Sequence, residues 1–179
     1  MELRVSTGVF KGRRLHTPRS SKPAMDKVKQ SIVNILRNRI NDANVLDLFS
    51  GVGNLGIELL SNGANEVVFV EKDRGVSELI TKNLEELEVH PTRYTVINNT
   101  VKSYLKTNLR KFDLIVIDPY YKLDIKSELR LIPNFITAES RVILLMDKQK
   151  IYNYEGLELI ESRTYGQTKV DFLKKSDII

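Results

Sequence analysis

The sequence predicts an α/β fold, an open and mostly parallel sheet with helices on both faces, preceded by a basic N-terminal hairpin. Three observations predict it. Strand-like and helix-like segments alternate from residue 45 to residue 146. The strand-like segments are near-continuous Val/Ile/Leu runs, as expected for strands covered on both faces. A glycine turn, Gly51-x-Gly53-x-x-Gly56, lies between the first of these strands and the following helix.

Leu3–Thr7 and Arg13–Thr17 read as short strands around Gly8 and Gly12, and Pro18–Pro23 as a loop. Asp26 can cap a helix whose apolar positions Val28, Ile32, Ile35, Leu36 and Ile40 follow a helical period. Val45–Phe49 is then a strand and Leu55–Asn62 a helix closed by Gly63. Strand Val67–Val70 precedes helix Asp73–Glu88, and strand Tyr94–Ile97 precedes helix Val101–Leu109. Leu114–Ile117 is a strand, Ile125–Ile132 a helix and Val142–Met146 a strand. Leu157–Ser162 and Lys169–Lys174 are joined around Tyr165-Gly166 and predict an antiparallel edge. Residues 1–40 form the basic extension and residues 41–179 the main domain.

Composition narrows the function classes. A chain of 179 residues suits one core, in which about 70% of the unfolded surface is buried. With no cysteine, disulfides and thiolate chemistry are excluded. His16 and His90 lie far apart, so no catalytic metal is expected. The longest apolar run is Val142–Met146, which predicts neither secretion nor membrane insertion and points to a cytoplasmic protein. The net charge of +5 is unevenly placed: residues 1–40 hold ten Lys or Arg against Glu2 and Asp26, whereas the rest is mildly acidic. Such segregation predicts a polyanionic partner, nucleic acid, on the N-terminal segment.

Two motifs carry chemistry. Glycines at 51, 53 and 56 permit a tight turn and close approach to a helix N-terminus, and Glu71, twenty residues after Gly51, can accept from ribose hydroxyls. The spacing fits a nucleoside-containing cofactor, either NAD or S-adenosylmethionine. Asp47 favours the latter, because a dinucleotide-binding strand more often carries a small apolar residue there. The second motif, Asp118-Pro119-Tyr120-Tyr121, ends the 114–117 strand. Open α/β sheets bind ligands beyond the carboxyl ends of their strands, so both motifs should share one cleft. The Asp118 carboxylate and Pro119 carbonyl can grip the N–H groups of an exocyclic amine, and a tyrosine ring can stack on its base.

These residues resemble the bacterial 16S ribosomal RNA guanine-N2 methyltransferases, a class I S-adenosylmethionine-dependent family. The resemblance spans nearly the whole chain. Gly8-Val-Phe-Lys11-Gly12-Arg13-Arg14-Leu15 looks like the family's basic hairpin, and Lys22-Pro23-Ala24-Met25-Asp26-Lys27-Val28-Lys29-Gln30 like its Arg-Pro-Thr-Thr-Asp-Arg-Val-Arg-Glu segment. The Asp47–Gly56 turn, Glu71-Lys-Asp73, the Asp-Pro-x-Tyr tetrad and Tyr165-Gly166-Gln167 follow in the family's order. Position 120 is Tyr where the family has a second Pro, and Ala24-Met25 replace two threonines.

The resemblance implies a doubly wound, seven-stranded sheet with a reversed last strand, and methyl transfer from S-adenosylmethionine to guanine N2 of 16S ribosomal RNA. It places Asp47, Phe49, Gly51, Gly53, Gly56 and Glu71 at the cofactor, with Asn99 or Thr100 near its adenine. It places Asp118, Pro119, Tyr120 and Tyr121 at the target base, and Lys11, Arg13, Arg14, Lys22 and Lys27 on RNA. The partner would be the small ribosomal subunit or an assembly intermediate. Competing readings are another amine acceptor (adenine N6 or a protein amide), a non-catalytic RNA-binding module, and a nicotinamide-dependent oxidoreductase.

Overall fold

Side chains along the central strands alternate between two separate hydrophobic layers, the consequence of a pleat whose two faces are both covered. In the computed structural model, which describes residues 3–18 and 26–177, Val45, Val67, Phe69, Leu114, Val116 and Ile143 enter one layer. Their neighbours Leu46, Val68, Val70, Ile115, Ile117 and Leu144 enter the other. Each fully buried side chain of this kind contributes roughly 1.5–3 kcal/mol.

The order of elements is α1 (Asp26–Ile40), β1 (Asn44–Leu48), α2 (Asn54–Ser61), β2 (Glu66–Glu71), α3 (Arg74–Glu86), β3 (Tyr94–Asn98), α4 (Val101–Thr107), β4 (Leu114–Ile117), α5 (Lys126–Leu129), β5 (Arg141–Asp147), β6 (Leu157–Tyr165) and β7 (Thr168–Lys175). Helices α1, α2 and α3 supply Ile32, Leu60 and Ile80 to the first layer. Helices α4 and α5 supply Leu105 and Leu129 to the second. The strand order is β3-β2-β1-β4-β5-β7-β6. All pairs are parallel except those made by β7, which runs antiparallel to both β5 and β6. This is the doubly wound, seven-stranded class I methyltransferase fold with a reversed last strand. Its order reverses between β1 and β4, which opens a crevice at their carboxyl ends. Among the described residues, no helix is long and apolar enough to cross a membrane.

Local differences from the sequence expectations have physical causes. The 125–132 helix shortens to α5 and gives way to a 3-10 turn at Ile132–Phe135, because Pro133 removes a donor and restricts the residue before it. Helix α3 ends at Glu86, two residues early, and Glu88 takes a left-handed φ of 58°. Strands β6 and β7 are longer than expected, with Gly166 (φ 62°) opening their two-residue turn. The N-terminal hairpin keeps its pairing only near its base, as an Arg4–Arg14 bridge with Val5 N–H donating to Arg13 O and Leu15 N–H to Leu3 O. Its tip is instead tied to the end of α2. Val9 N–H donates to Ser61 O, Phe10 N–H to Ser61 Oγ, and Ser61 Oγ to Thr7 O. A Cβ on Gly8 would lie 2.0 Å from Ser61 O, so only glycine fits. Lys22, the 23–25 segment and the Asp26 side chain expected to cap α1 lie outside the described residues.

Beneath the hairpin lies a buried ion pair. Lys29 Nζ of α1 sits 3.4 Å from Glu58 Oε2 of α2, and both side chains are fully buried. Glu58 also accepts from the backbone N–H groups of Ser6 and Thr7 and from the Thr7 hydroxyl. Lys29 donates to Arg4 O and to Asn54 Oδ1. Removing one member strands the other charge in the interior, a change that costs about 3–5 kcal/mol. Glu58→Ala is therefore expected to lose stability of that order in urea unfolding and to expose residues 3–18 to proteolysis. A loss below about 1 kcal/mol with an intact hairpin would show that the pair does not anchor it.

Candidate active site

The crevice at the sheet's switch point is built from the ends of four strands. Leu48 of β1 pairs with Ile117 of β4, and Asp118 N–H donates to Leu48 O at 3.3 Å. The tetrad and the glycine turn therefore leave adjacent strands side by side. Glu71 ends β2 in register with Asn98 of β3, and Asn99 N–H donates to Glu71 O.

Three carboxylates organise this edge. Asp47, only 2% exposed, accepts from Gly56 N–H at 3.0 Å and so caps the first turn of α2 from the strand beneath it. Burial pushes its carboxyl up to about 8, the Gly56 N–H opposes that, and the negative charges of Asp118 and Glu71 reinforce it. Glu71 accepts from Gly51 N–H and Asp73 N–H, both at 2.9 Å. Asp118 lies at the rim, and desolvation raises its carboxyl to about 6.

The three glycines differ in their reason for being glycine. A Cβ on Gly51 (φ 53°) would meet nothing within 4 Å, so its exposed edge is open to a ligand. Gly53 (φ 77°) is crowded by Ile80 and Phe69. At Gly56 a Cβ would lie 2.3 Å from the Phe69 ring and 2.7 Å from Asp47 Oδ2. Phe69 and the Asp47 cap thus dictate Gly56, and the motif pattern alone does not single out Phe69. Phe49 follows β1 with a left-handed φ of 59° and packs on the second layer. Ser50, which sequence reasoning passed over, donates to Asp47 O at 2.6 Å and accepts from Val70 N–H at 2.9 Å, pinning the turn to β2. Thr100 Oγ1 caps α4 by accepting from Ser103 N–H, and Asn99 Oδ1 accepts from Thr100 N–H.

On the other side of the crevice lies a cavity of about 320 Å³, lined by Asp118, Pro119, Tyr121, Met146, Gln167 and Thr168 among others. Tyr121 reaches it. Tyr120, 65% exposed, leans on the Tyr121 ring from outside, with centroids 4.7 Å apart and planes tilted by 45°. Gln167 and Thr168, contributed by the β6–β7 turn, were not among the expected site residues. Only the antiparallel return of β7 beside β5 brings them there.

The expected RNA-contacting residues that are described, Lys11, Arg13, Arg14 and Lys27, are all exposed. Arg13 donates to Glu86 O at 2.5 Å, and with Arg4, Gly12 and Arg14 it lines a recess of about 300 Å³ against the end of α3. Asn83 of α3 links this segment to the glycine turn: Oδ1 accepts from His16 N–H, and Nδ2 donates to the carbonyls of His16 and Val52.

The family model described as "Conserved hypothetical protein 95" matches residues 3–174. The chain belongs to that family. The ribosomal RNA small subunit methyltransferase D of Haemophilus influenzae is 30% identical over 173 residues, covering 92% of this chain and 90% of that protein. A candidate rRNA methyltransferase of Bacillus subtilis, YlbH, is 31% identical over 97% of this chain and 99% of its own length. Among solved structures, a candidate methyltransferase of Escherichia coli superposes with a TM-score of 0.86 over 98% of both chains at 24% identity. This is a methyltransferase family, and the chain carries its fold.

The raised Asp47 carboxyl sets a sign. A folded-state value near 8 against the ordinary 3.8 means that the folded protein binds the proton more tightly. Asp47 therefore costs stability progressively as pH rises from about 4 to about 8, with a steepest slope of about 1.4 kcal/mol per pH unit for one proton. In urea unfolding across that range, Asp47→Asn is expected to gain stability relative to wild type as pH rises. A constant difference would show that Asp47 ionises normally in the fold.

Proposed function

We propose that this protein transfers a methyl group from S-adenosylmethionine to guanine N2 of small-subunit ribosomal RNA. The observation that carries the reading is the placement of Asp118-Pro119 between the glycine-turn edge and the 320 Å³ cavity. An acceptor amine in that cavity would face a cofactor on the turn. The relatives' names supply the RNA class, and the sequence resemblance supplies the base and atom.

The donor set fits the cofactor. Glu71 can accept from ribose hydroxyls, since each carboxylate oxygen now meets one backbone N–H and has acceptor capacity left. The acidic edge of Glu71 and Asp118 suits a ligand with a cationic sulfonium and ammonium better than one with an anionic pyrophosphate. Gly51 offers the open approach, and Asn99, beside Glu71 with Thr100 engaged at the α4 cap, is the nearer candidate for the adenine. When bound, the cofactor supplies a methyl group already activated as an electrophile.

The chain's own residues position the acceptor. An exocyclic purine amine is a weak nucleophile, because its lone pair is delocalised into the ring. The Asp118 carboxylate and the Pro119 carbonyl would accept its two N–H bonds and aim the lone pair across the crevice. Such orientation corresponds to effective molarities of roughly 10⁵–10⁸ M. The Tyr121 ring, on the cavity wall, would stack on the flipped base, worth about 1–3 kcal/mol. The alkylated amine becomes acidic as its lone pair is used, so Asp118 needs only to be ionised and in place to take a proton.

Tritiated methyl transfer to unmodified small subunits, followed by nucleoside analysis, tests the reading, with label expected in N2-methylguanosine. Asp118→Ala is expected to abolish transfer while S-adenosylmethionine binding by calorimetry stays within about twofold. Since Asp118 can take up the amine proton only when ionised, kcat/KM should fall about tenfold per pH unit below about 6. Wild-type turnover by the variant would remove Asp118 from the mechanism, and label in another nucleoside would replace the acceptor.

A further inference from the structure

Helix α1 has a chemistry of its own on its outer face. Its exposed positions include Lys27, Gln30, Asn34, Arg37 and Arg39, and residues 27–41 contain no Asp or Glu. Beside it, β6 presents Arg163. Lys27, Gln30, Ser31, Asn34, Ile35 and Arg163 line an open groove of about 520 Å³.

The groove is a built feature joining two distant parts of the chain. The Ser31 and Tyr165 hydroxyls are hydrogen-bonded across its floor. Glu161 Oε1 accepts from Arg163 Nε at 2.5 Å, and the Tyr165 hydroxyl hydrogen-bonds the same guanidinium. A guanidinium has five N–H donors, and the Glu161 bond occupies the one on Nε.

Its location matters as much as its lining. The N-terminal part of α1 lies at the carboxyl edge of the sheet, since Lys29 Nζ reaches Asn54 at the start of α2. Strand β6 climbs to the same edge and turns at Gly166-Gln167, where Tyr165 pairs with Thr168. Thr168 and Gln167 line the cavity beside Asp118, whereas Tyr165 closes the groove through Ser31. One two-residue turn therefore separates the groove from the cavity.

We propose that the α1–β6 groove holds the single-stranded RNA backbone flanking the target nucleotide. This rests on the reading of the cavity as the site of a flipped RNA base. A base leaves its stack only if the chain on either side is held away from the duplex. Lys27 and Arg163 supply cations for phosphates at the two sides of the groove. The Gln30 and Asn34 amides supply both donors and acceptors, which suit 2′-hydroxyls and unpaired base edges. Half-buried Ile35 gives an apolar floor. A polyanion is favoured over a protein strand by the absence of any acid from residues 27–41 of the adjoining helix.

The test uses the full chain carrying Lys27→Gln and Arg163→Gln, with two readouts. In methyl transfer to unmodified small-subunit RNA, KM for RNA should rise roughly tenfold while kcat at saturating RNA holds, equivalent to about 1.4 kcal/mol of lost binding. In equilibrium binding of an rRNA fragment, the log–log slope of affinity against salt should shrink by about 1.4, at about 0.7 per charge for a single strand. Gln30→Ala with Asn34→Ala, on the exposed helix face, should raise KM without changing the salt slope, which keeps the test decisive if the charge variant folds poorly.

Wild-type KM and salt slope in both variants would overturn the proposal while leaving the methyl-transfer reading intact. A defect on assembled subunits that is absent on naked RNA would assign the groove to a ribosomal protein and also overturn it. If wild type binds the fragment but transfers no methyl, and the charge variant flattens the slope, the groove stands and the proposed activity falls.

Discussion

A buried carboxylate joins the end of β1 to the start of α2, and the geometry of the whole crevice hangs on that contact. Asp47 projects from a strand with no solvent nearby and meets the Gly56 N–H at 3.0 Å. The N-terminus of a helix carries unpaired donors, and a carboxyl oxygen there satisfies one of them whether or not the group is ionised. Its reach requires the helix backbone to come close to the strand, which excludes a Cβ at position 56 and presses the turn against Phe69. Ser50 fastens the other side of the turn to β2. A turn held from both sides is preorganised, so a ligand that meets it has little ordering cost to meet.

The second organising element is the burial of Lys29 with Glu58. The N-terminal hairpin offers few apolar side chains, and its own ladder is short. It is attached instead by backbone N–H groups of Ser6 and Thr7 donating into a fully buried carboxylate, and by Val5 and Leu15 entering the same layer as α1, α2 and α3. Asn83 then spans from His16 to Val52. Basic residues facing outward and the glycine turn facing the crevice thereby belong to one rigid network. A basic surface and an acidic cleft coexist because the positive charge sits on the extension and α1, while the carboxyl groups sit at the strand ends.

Much of this was legible along the chain. The order of strands and helices followed from hydrophobic period and length, and the two motifs placed Asp47, Gly51, Glu71 and Asp118 on one edge through the general rule for open α/β sheets. The apolar pattern carries a helix to Ile132, whereas regular helix stops at Leu129 and the chain tightens into a 3-10 turn around Pro133. The hairpin is less regular than its sequence implies, because its tip is held by Ser61 of a helix some fifty residues away. The Tyr165-Gly166-Gln167 pattern marks a turn, but nothing local places Gln167 or Thr168 at the site. Their place beside Asp118 depends on β7 returning antiparallel against β5.

By itself, then, the sequence determined which segments are strands and helices, that a glycine turn and an Asp-Pro motif terminate two of those strands, and where the positive charge lies. These are consequences of side-chain period, turn chemistry and composition, all local properties. The tertiary structure alone decided that Lys29 and Glu58 are buried together, that Phe69 dictates Gly56, that Tyr121 and not Tyr120 reaches the cavity, and that α1 and β6 enclose a groove. Each depends on contacts between residues far apart in sequence, and such contacts exist only once the sheet has chosen its strand order.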